Sequence, residues 1–586
     1  MDIAALHRTR RNLVERLNAE RVSGGWWEGR LAGSALSTAT AAGALTLAGG
    51  HDVAPGLDWL ARTQNEDGGW GDTVLSLSNI STTILCWCSF AIASAEGRYW
   101  PIVTRAEAWL TKAAGGIDAP CLAAAILRRY GTDRTFSVPI LTVMAIAGKL
   151  GHGRDAWGNI PQLPFELAAC PHQVFGAIGL PVVSYALPAL IAIGQVRHHH
   201  RPSRNPVTRL LRDRLTPRTL QLLRHIQPST GGYLEATPLT SFVVMSLAFA
   251  GRNDHDVVKH GARFLAQSMR PDGSWPIDTN LATWVTTLSI DALSPLPERE
   301  HPLVSKDRDA IRDWLLAQQY KEEHPYTHAA PGGWAWTPLP GGVPDADDTS
   351  GALLALRYLG AADDRVRTAA SNGVRWLLDL QNTDGGMPTF CRGWGKLPFD
   401  RSGTDLTAHA IAAWQEWLPD LDDGIRARTE SALVKAKRFL IQNQRKDGSW
   451  APLWFGNEHA ESQENLTYGS ARVLAPLLLT GHPCAERALR WLEKTQNRDG
   501  GWGGGPGTPS SIEETSLALR ALAGSNCAAF EVAVERGLTW LIHTTNEGRK
   551  TSPSPLGLYF ASLWYYEELY PLIFATGALT RILRAG

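Results

Sequence analysis

The sequence lacks the marks of several common protein classes. Its first residues, MDIAALHRTRRNLVERL, have no apolar signal-peptide core and read as an amphipathic helix. No run of about 20 apolar residues is free of charges and helix breakers, so no spanning helix is expected. Lys+Arg and Asp+Glu both total 57, which gives no electrostatic reason to expect nucleic acid or an acidic partner. The seven cysteines are odd in number and scattered, and Cys86–Cys88 is a lone C-x-C without a second pair at zinc spacing. A reduced, cytosol-facing protein is the simplest account. Val/Ile/Thr-rich alternation of period two is also missing, which argues against a sheet protein.

What is abundant is tryptophan. The chain has 23, more than a core of this size needs, so they must line something. A length of 586 residues would suggest about four domains at roughly 150 residues each. An internal repeat argues for fewer, larger ones. Its template is small-x-x-aromatic-Leu, then Gln, then Asp-Gly-Gly/Ser-Trp. It appears as GLDWLARTQNEDGGW (Gly56 to Trp70), GARFLAQSMRPDGSW (Gly261 to Trp275), AKRFLIQNQRKDGSW (Ala436 to Trp450) and ALRWLEKTQNRDGGW (Ala488 to Trp502). Variants are GVRWLLDLQNTDGGM (Gly373 to Met387) and IRDWLLAQQ (Ile311 to Gln319), which runs on to Gly333-Trp334. GLTWLIHTT (Gly537 to Thr545) is a worn last copy, and Gly24-Gly25-Trp26-Trp27 keeps only a tail.

Each copy makes sense as a helix end and a turn. Apolar residues at helical spacing precede the Gln, and Asp-Gly supplies a positive-φ turn. The Trp after the turn is placed to stack on a neighbouring copy and the Gln to cap the adjacent helix. Repeats of roughly 50 to 60 residues with two helices each imply closed α-barrels or a helical solenoid.

Phe175 to Gly194 carries no charge but contains Pro181 and Pro188, and a basic stretch from Arg197 to Arg218 follows. Two readings stay open: a buried helix with a solvated loop, or one-sided membrane insertion with the basic run on anionic headgroups. His198, His199 and His200 are sequential neighbours, which point apart and make a poor metal set.

The stretch Pro331 to Thr349, PGGWAWTPLPGGVPDADDT, places Asp345, Asp347 and Asp348 just after Trp334 and Trp336. Three carboxyls crowded in an apolar pocket cannot all ionise, so one stays protonated near neutral pH. A retained proton beside aromatic walls suits protonation of an alkene. A cation bonded to a neighbouring carboxylate would stabilise the charge left behind, and His409, four residues after Asp405 in SGTDLTAHAIAAW, is the candidate. A second DxDD, Asp420-Leu421-Asp422-Asp423, has no Gly-Trp run before it and reads as a solvated helix start.

These residues resemble the class II triterpene cyclases, the squalene-hopene and oxidosqualene cyclases. The repeats are similar to their QW motifs, Asp345-Ala346-Asp347-Asp348-Thr349 looks like their DxDD-T acid motif, and GGWAW resembles the GGFAF-type run before it. The resemblance covers nearly the whole chain, including LYFASLWYYEELYPLIFATGAL (Leu558 to Leu579) near its C-terminus. It implies an all-α fold of two α/α-barrel domains with an apolar cavity between them. Residues 30–278 would be the inserted domain, and 1–29 plus 279–586 the domain carrying the acid motif.

The resemblance also implies roles. Asp347 would be the proton donor, its acidity raised by an Asp345–His409 pair, with Asp348, Asp405 and Tyr468 supporting the network. Trp336, Trp334, Phe390, Trp284, Trp454, Tyr559 and Tyr566, with Tyr185 where the family has Trp, would contact the substrate. Aromatic faces stabilise a desolvated cation by ~0.5 to 2 kcal/mol each without acting as nucleophiles. Three departures bear on ring number and termination. Trp284-Val285-Thr286 stands where Trp-Asp-Thr is expected, SPSPLGLYF replaces a GFPGDFYL-type segment, and His459 to Glu464 looks inserted. Glu235 is a candidate for handling a terminating water.

The expectation is a cofactor-free, metal-free cyclase of squalene, monotopic on the cytoplasmic side of a membrane, with a homodimer left open. Alternatives are a class II cyclase of a shorter polyprene, a prenylated aromatic or a prenyl diphosphate. A prenyltransferase β-like barrel would need a zinc site and an α-subunit, and a non-catalytic repeat scaffold would leave three clustered acids unexplained.

Overall fold

In a computed structural model the chain is helical, and the structure describes residues 2–131, 133–177, 186–478 and 482–585. Two hydrophobic cores organise it. One is built from Leu6 to Trp27 together with Trp284 to Leu579, and the other from Ala35 to Trp275 joined by Tyr326 and Val343.

The first core fills a closed α/α-barrel. Its inner ring runs Ala282–Leu293, Ala346–Gly360, Thr404–Trp417, Leu466–Leu477, Ile512–Gly524 and Tyr570–Ala585, and the last helix packs back on the first. Outer helices include Ser305–Ala317, Asp364–Leu380, Asp423–Gln442, Pro483–Lys494 and Glu531–Thr544. The N-terminal helix Ile3–Ala19 completes the outer layer by packing on Tyr570–Ala585 and Glu531–Thr544. In the second core Ala35–Ala48, Ile80–Ile92, Arg134–Ile146, Leu187–His200 and Thr237–Phe249 lie innermost. Short strands serve as clasps: Gly33–Ser34 pairs with Trp275–Pro276, and Leu556–Leu558 pairs with both Phe455–Gly456 and Leu563–Tyr565.

The repeat is what closes the barrels, and each residue type in it has a job. Gly68 turns the chain at φ +91° after the helix Ala54–Arg62. Gln64 Nε2 then donates to the carbonyls of Gly68 (2.8 Å) and of Ile102 (3.0 Å) in the next outer helix. Gln319, Gln381, Gln444 and Gln496 make the same two bonds in their copies. The Trp70 backbone N–H donates to Thr83 Oγ1 on the following inner helix, while its indole N–H reaches back to the Leu60 carbonyl. Trp27, Trp275, Trp450 and Trp502 bond the carbonyls of Leu17, Leu265, Leu440 and Leu492 in the same way. Buried backbone polar groups must find partners, and this motif supplies several at once.

The small residue that opens the template is explained by packing. A Cβ at Gly56 would lie 2.8 Å from the Trp275 ring, one at Gly373 2.9 Å from Trp334, and one at Gly537 2.6 Å from Trp502. The indole of one copy therefore seats on the glycine of the next. A further copy is hidden in Gln227 to Tyr233, where Tyr takes the Trp position. The Tyr233 phenol donates to the Leu223 carbonyl at 2.9 Å, and Gln227 bonds the carbonyls of Gly231 and Val257. Without Asp-Gly or Trp it carries little of the template.

Candidate active site

The acid motif sits at the start of the inner helix Ala346–Gly360. Asp345 is its N-cap, and one carboxylate oxygen accepts the N–H groups of Asp347 (2.9 Å) and Asp348 (2.8 Å). The loop before it is pinned by an Asp345 N–H bond to the Trp334 carbonyl and an Ala346 N–H bond to Thr389. Capping commits Asp345 to its own helix. Asp347, on the first turn, instead points across to the neighbouring inner helix.

This changes the expected pairing. His409 Nδ1 lies 2.5 Å from Asp347 Oδ1, so the histidine partners Asp347 and not Asp345. The sequence also left out the cation beside them. Arg472, on Leu466–Leu477, places its guanidinium 4.0 Å from Asp347 Oδ1 and over the Tyr468 ring. Arg472 lies one turn after Tyr468, a helical spacing visible in the sequence.

The three acids titrate differently. Burial pushes Asp345 up to about 7, against the pull of its backbone bonds. Burial and then the neighbouring Asp345 charge drive Asp348 well above the ordinary aspartate value. The pair therefore keeps a proton at neutral pH. Burial also works upward on Asp347, but His409, its hydrogen bond and Arg472 outweigh it and hold this carboxyl below the usual value. Burial and the Arg472 charge draw His409 itself down, so Arg472 is the permanent counter-charge. Asp347 is also the most accessible of the three: its side chain retains 17% exposure, whereas Asp345 and Asp348 are buried. Asp405 donates nothing to His409. One of its oxygens accepts the Leu453 N–H at 3.0 Å, and burial pushes it up to about 6.

Behind His409 and Arg472, a cavity of about 70 Å³ inside the barrel is also lined by Thr287, Asp291 and Arg520. Asp291 there is bound by Arg520 (2.7 Å) and Arg581 (2.6 Å).

The aromatic residues form a chain of edge-to-face contacts. Trp336 meets Phe390 at 6.4 Å, Phe390 meets Trp454 at 5.8 Å, and Trp454 meets Phe560 at 4.8 Å. Trp336 packs on both cores yet keeps accessible surface, as do Phe390, Trp454 and Phe560, which marks the space between the cores. Tyr559 adjoins Phe560 at 6.2 Å, with its phenol bonded to the Pro452 carbonyl. Trp284 lies edge-on to His409 at 6.2 Å and donates to the Tyr570 hydroxyl.

Two of the residues expected to line this space do other work. Trp334 is fully buried, and its indole bonds the Leu315 carbonyl at 2.8 Å, so it is the repeat's closing tryptophan. Tyr566 faces Arg30, Arg270 and Glu568, while its neighbour Tyr565 lies near Asp348, Asp278 and Tyr468. Side chains alternate along the strand Leu563–Tyr565 and its continuation, so a shift of one residue changes the face. Tyr185 lies outside the described residues. Phe560, Tyr565 and Arg472 are the residues that the sequence reading missed.

Elsewhere the second DxDD is a helix start: Asp422 caps Asp423–Gln442 and Asp420 pairs with Arg357. His198 bonds Asp213, while His200 stacks on Trp157. Among the described residues one group has metal-ligand spacing, His172, Glu323 and His328 within 4.8 Å, and none of the acid-site residues belongs to it.

A double α/α-barrel fold with a buried DxDD-His site and an aromatic wall defines a class II terpene cyclase. The squalene-hopene cyclase C-terminal domain family matches residues 281–584, just over half of the chain, and the protein belongs to that family. It is 30% identical over 420 residues to a terpene cyclase–glycosyl transferase fusion protein of Humicola fuscoatra, covering 62% of this chain and 30% of that one. Drimenyl diphosphate synthase of Streptomyces showdoensis is 30% identical over 310 residues, covering 52% of this chain and 50% of its own. Squalene–hopene cyclase of Bradyrhizobium diazoefficiens is 27% identical over 347 residues, covering 49% and 47%. The chain thus spans half or less of the length of these relatives. Among solved structures, ent-copalyl diphosphate synthase from Streptomyces platensis superposes over 99% of this chain and 100% of its own, with a TM-score of 0.59 at 18% identity, a likeness of fold.

Proposed function

We propose that the protein is a protonation-initiated cyclase of a linear polyprene, with squalene as the substrate. The observation that carries this is the acid cluster. A carboxyl beside a permanent buried cation, Asp347 with Arg472, adjoins a pair that retains a proton, and Trp284, edge-on to His409, donates its backbone N–H to the carbonyl of Trp336 at the start of the aromatic wall. An alkene is a weak base, so the donor's conjugate base must be stabilised in a dry site, which is what Arg472 and His409 do for Asp347. Asp347 passes the proton on, taking it from the Asp345–Asp348 pair as the alkene is protonated. Asp345 and Asp348 share one proton and so hold only part of their negative charge beside it. Trp336, Phe390, Trp454 and Phe560 then face the migrating cation, which aromatic faces stabilise without trapping it.

Exposed Val207, Leu210 and Leu211 on the helix Pro206–Ile226, beside exposed Arg204, Arg209 and Arg214, support docking on a membrane surface where such a substrate resides. No single helix among the described residues is long and apolar enough to cross one.

A prenyl diphosphate is the second reading, favoured by the 30% identity to drimenyl diphosphate synthase. Incubating detergent-purified protein separately with squalene, farnesyl diphosphate and geranylgeranyl diphosphate distinguishes them by mass spectrometry. Cyclised squalene supports the first reading. Turnover of a diphosphate alone replaces it with the second.

A further inference from the structure

A second acidic pair lies where the two cores meet, and no step so far uses it. Glu235 follows the hidden repeat copy, and Asp278 follows Trp275. The backbones of Ala236 and Asp278 bridge in antiparallel fashion, and the Thr279 N–H bonds the Glu235 carbonyl at 3.2 Å. Glu235 is completely buried. One of its oxygens accepts from Thr230 Oγ1 and from the Gly341 N–H, both at 2.8 Å, which ties it to the loop leading into Asp345. The other oxygen is buried without a partner.

Such an orphaned oxygen is costly unless a proton or a ligand meets it. Leu234 and Glu235 both sit at positive φ, 56° and 55°, a conformation that non-glycine residues hold only under constraint. Asp278 is set among protein groups yet keeps accessible surface. The segment after Asp278 is held against the aromatic wall: Thr337 Oγ1 donates to Asn280 Oδ1 at 2.9 Å, and the Thr283 and Trp284 N–H groups donate to the Trp336 carbonyl; Tyr565 stands near both Asp278 and Asp348. Burial and the Glu235 charge both resist its ionisation.

Resting on the cyclase reading, we infer that Asp278, backed by Glu235, is the base that ends the cyclisation. Like charges this near do not both ionise, so the pair presents a single negative charge; with the cation at the wall that charge falls on Asp278, and the proton stays on the orphaned Glu235 oxygen. In the last step a C–H bond next to the cationic carbon breaks. Its electron pair becomes the C=C bond, and the proton passes to an Asp278 oxygen. The step is redox-neutral and needs no co-reactant, and the product is an olefin isomeric with the substrate. Asp278 is the catalytic residue. Glu235 is a positioning residue that keeps its own proton and so leaves the charge to Asp278.

The test compares wild type, Asp278→Asn, Asp278→Glu and Glu235→Gln, with squalene and with the two prenyl diphosphates, scoring substrate consumed and product distribution. The wild type is expected to give olefins of unchanged skeletal mass. In Asp278→Asn the main olefin is expected to fall at least tenfold as a share of product, replaced by water adducts or earlier-terminated olefins. Asp278→Glu restores part of the olefin, and Glu235→Gln gives an intermediate shift. An unchanged product distribution in Asp278→Asn overturns the inference, as does a wild-type product that is a water adduct. Loss of all consumption by both Asp278 variants with native melting curves also overturns it, because Asp278 would then act before termination. A wild type that consumes no polyprene sinks the cyclase reading itself, and the inference with it.

Discussion

Arg472 is the residue whose removal most sharply tests how the acid works. Its guanidinium lies 4.0 Å from Asp347 Oδ1. Two unit charges at that distance interact by about 4 kcal/mol at an effective dielectric of about 20, or roughly three pKa units. Water entering the vacated space offsets part of this, so Arg472→Met is expected to raise the Asp347 pKa by about one to three units. Without that charge the acid cluster as a whole gives up its proton to an alkene less readily, so the rate should fall by about 10- to 1000-fold. Arg472→Lys keeps the charge and should recover most of that loss.

The fold should survive the change, since Asp291, another acid near Arg472, keeps Arg520 and Arg581. The assay is initial rate of product formation for all three proteins between pH 5 and 8, with thermal melts alongside. A rate for Arg472→Met within twofold of wild type, in a protein that melts normally, would refute the claim that Arg472 sets the acid strength of Asp347.

Other consequences follow from the same geometry. Phe560→Leu removes one aromatic face from the wall next to Trp454, which should cost ~1 to 2 kcal/mol of cation stabilisation and raise the share of prematurely terminated products, measured by gas chromatography. Trp502→Phe leaves the Leu492 carbonyl buried without its 2.7 Å indole bond, at about 1–3 kcal/mol, so the thermal midpoint should drop by a few degrees while the rate at 25 °C stays near wild type. Burial raises Asp345, Glu458 and Glu567 to about 7 and Asp405 to about 6. Across the window from about pH 4 to 7 the folded state binds more protons than the unfolded chain, so stability falls as pH rises through it. The thermal midpoint should be higher at pH 5.5 than at pH 8, and the opposite order would count against these protonated acids.

The barrels were legible in the sequence because every repeat residue has one structural job: glycine for the positive-φ turn, glutamine for two carbonyls, tryptophan for a third. The same regularity misled at Trp334, which precedes the acid motif and looked like a wall residue. Its job is that of Trp70 and Trp502. Tyr566 and Tyr565 differ by one position, and parity along so short a strand has no sequence signature when both neighbours are tyrosine. The partner of His409 depended on which acid capped the helix. Asp345 took that role, and Asp347 was left to reach across. Arg472 went unread because an arginine inside an apolar barrel makes sense only once the carboxylates around it are placed. Tyr233 hid a whole repeat by substituting one hydrogen-bond donor for another.

The central step is proton transfer from Asp347 to an alkene. The most direct measurement is incubation of the protein with squalene in D₂O, with Asp347→Asn in parallel and products read by mass spectrometry. The prediction is a cyclised product carrying one deuterium in its first ring from the wild type, and a rate at least 1000-fold lower from the mutant, about 4 kcal/mol of lost transition-state stabilisation. The same labelled product from Asp347→Asn at a rate near wild type would contradict it.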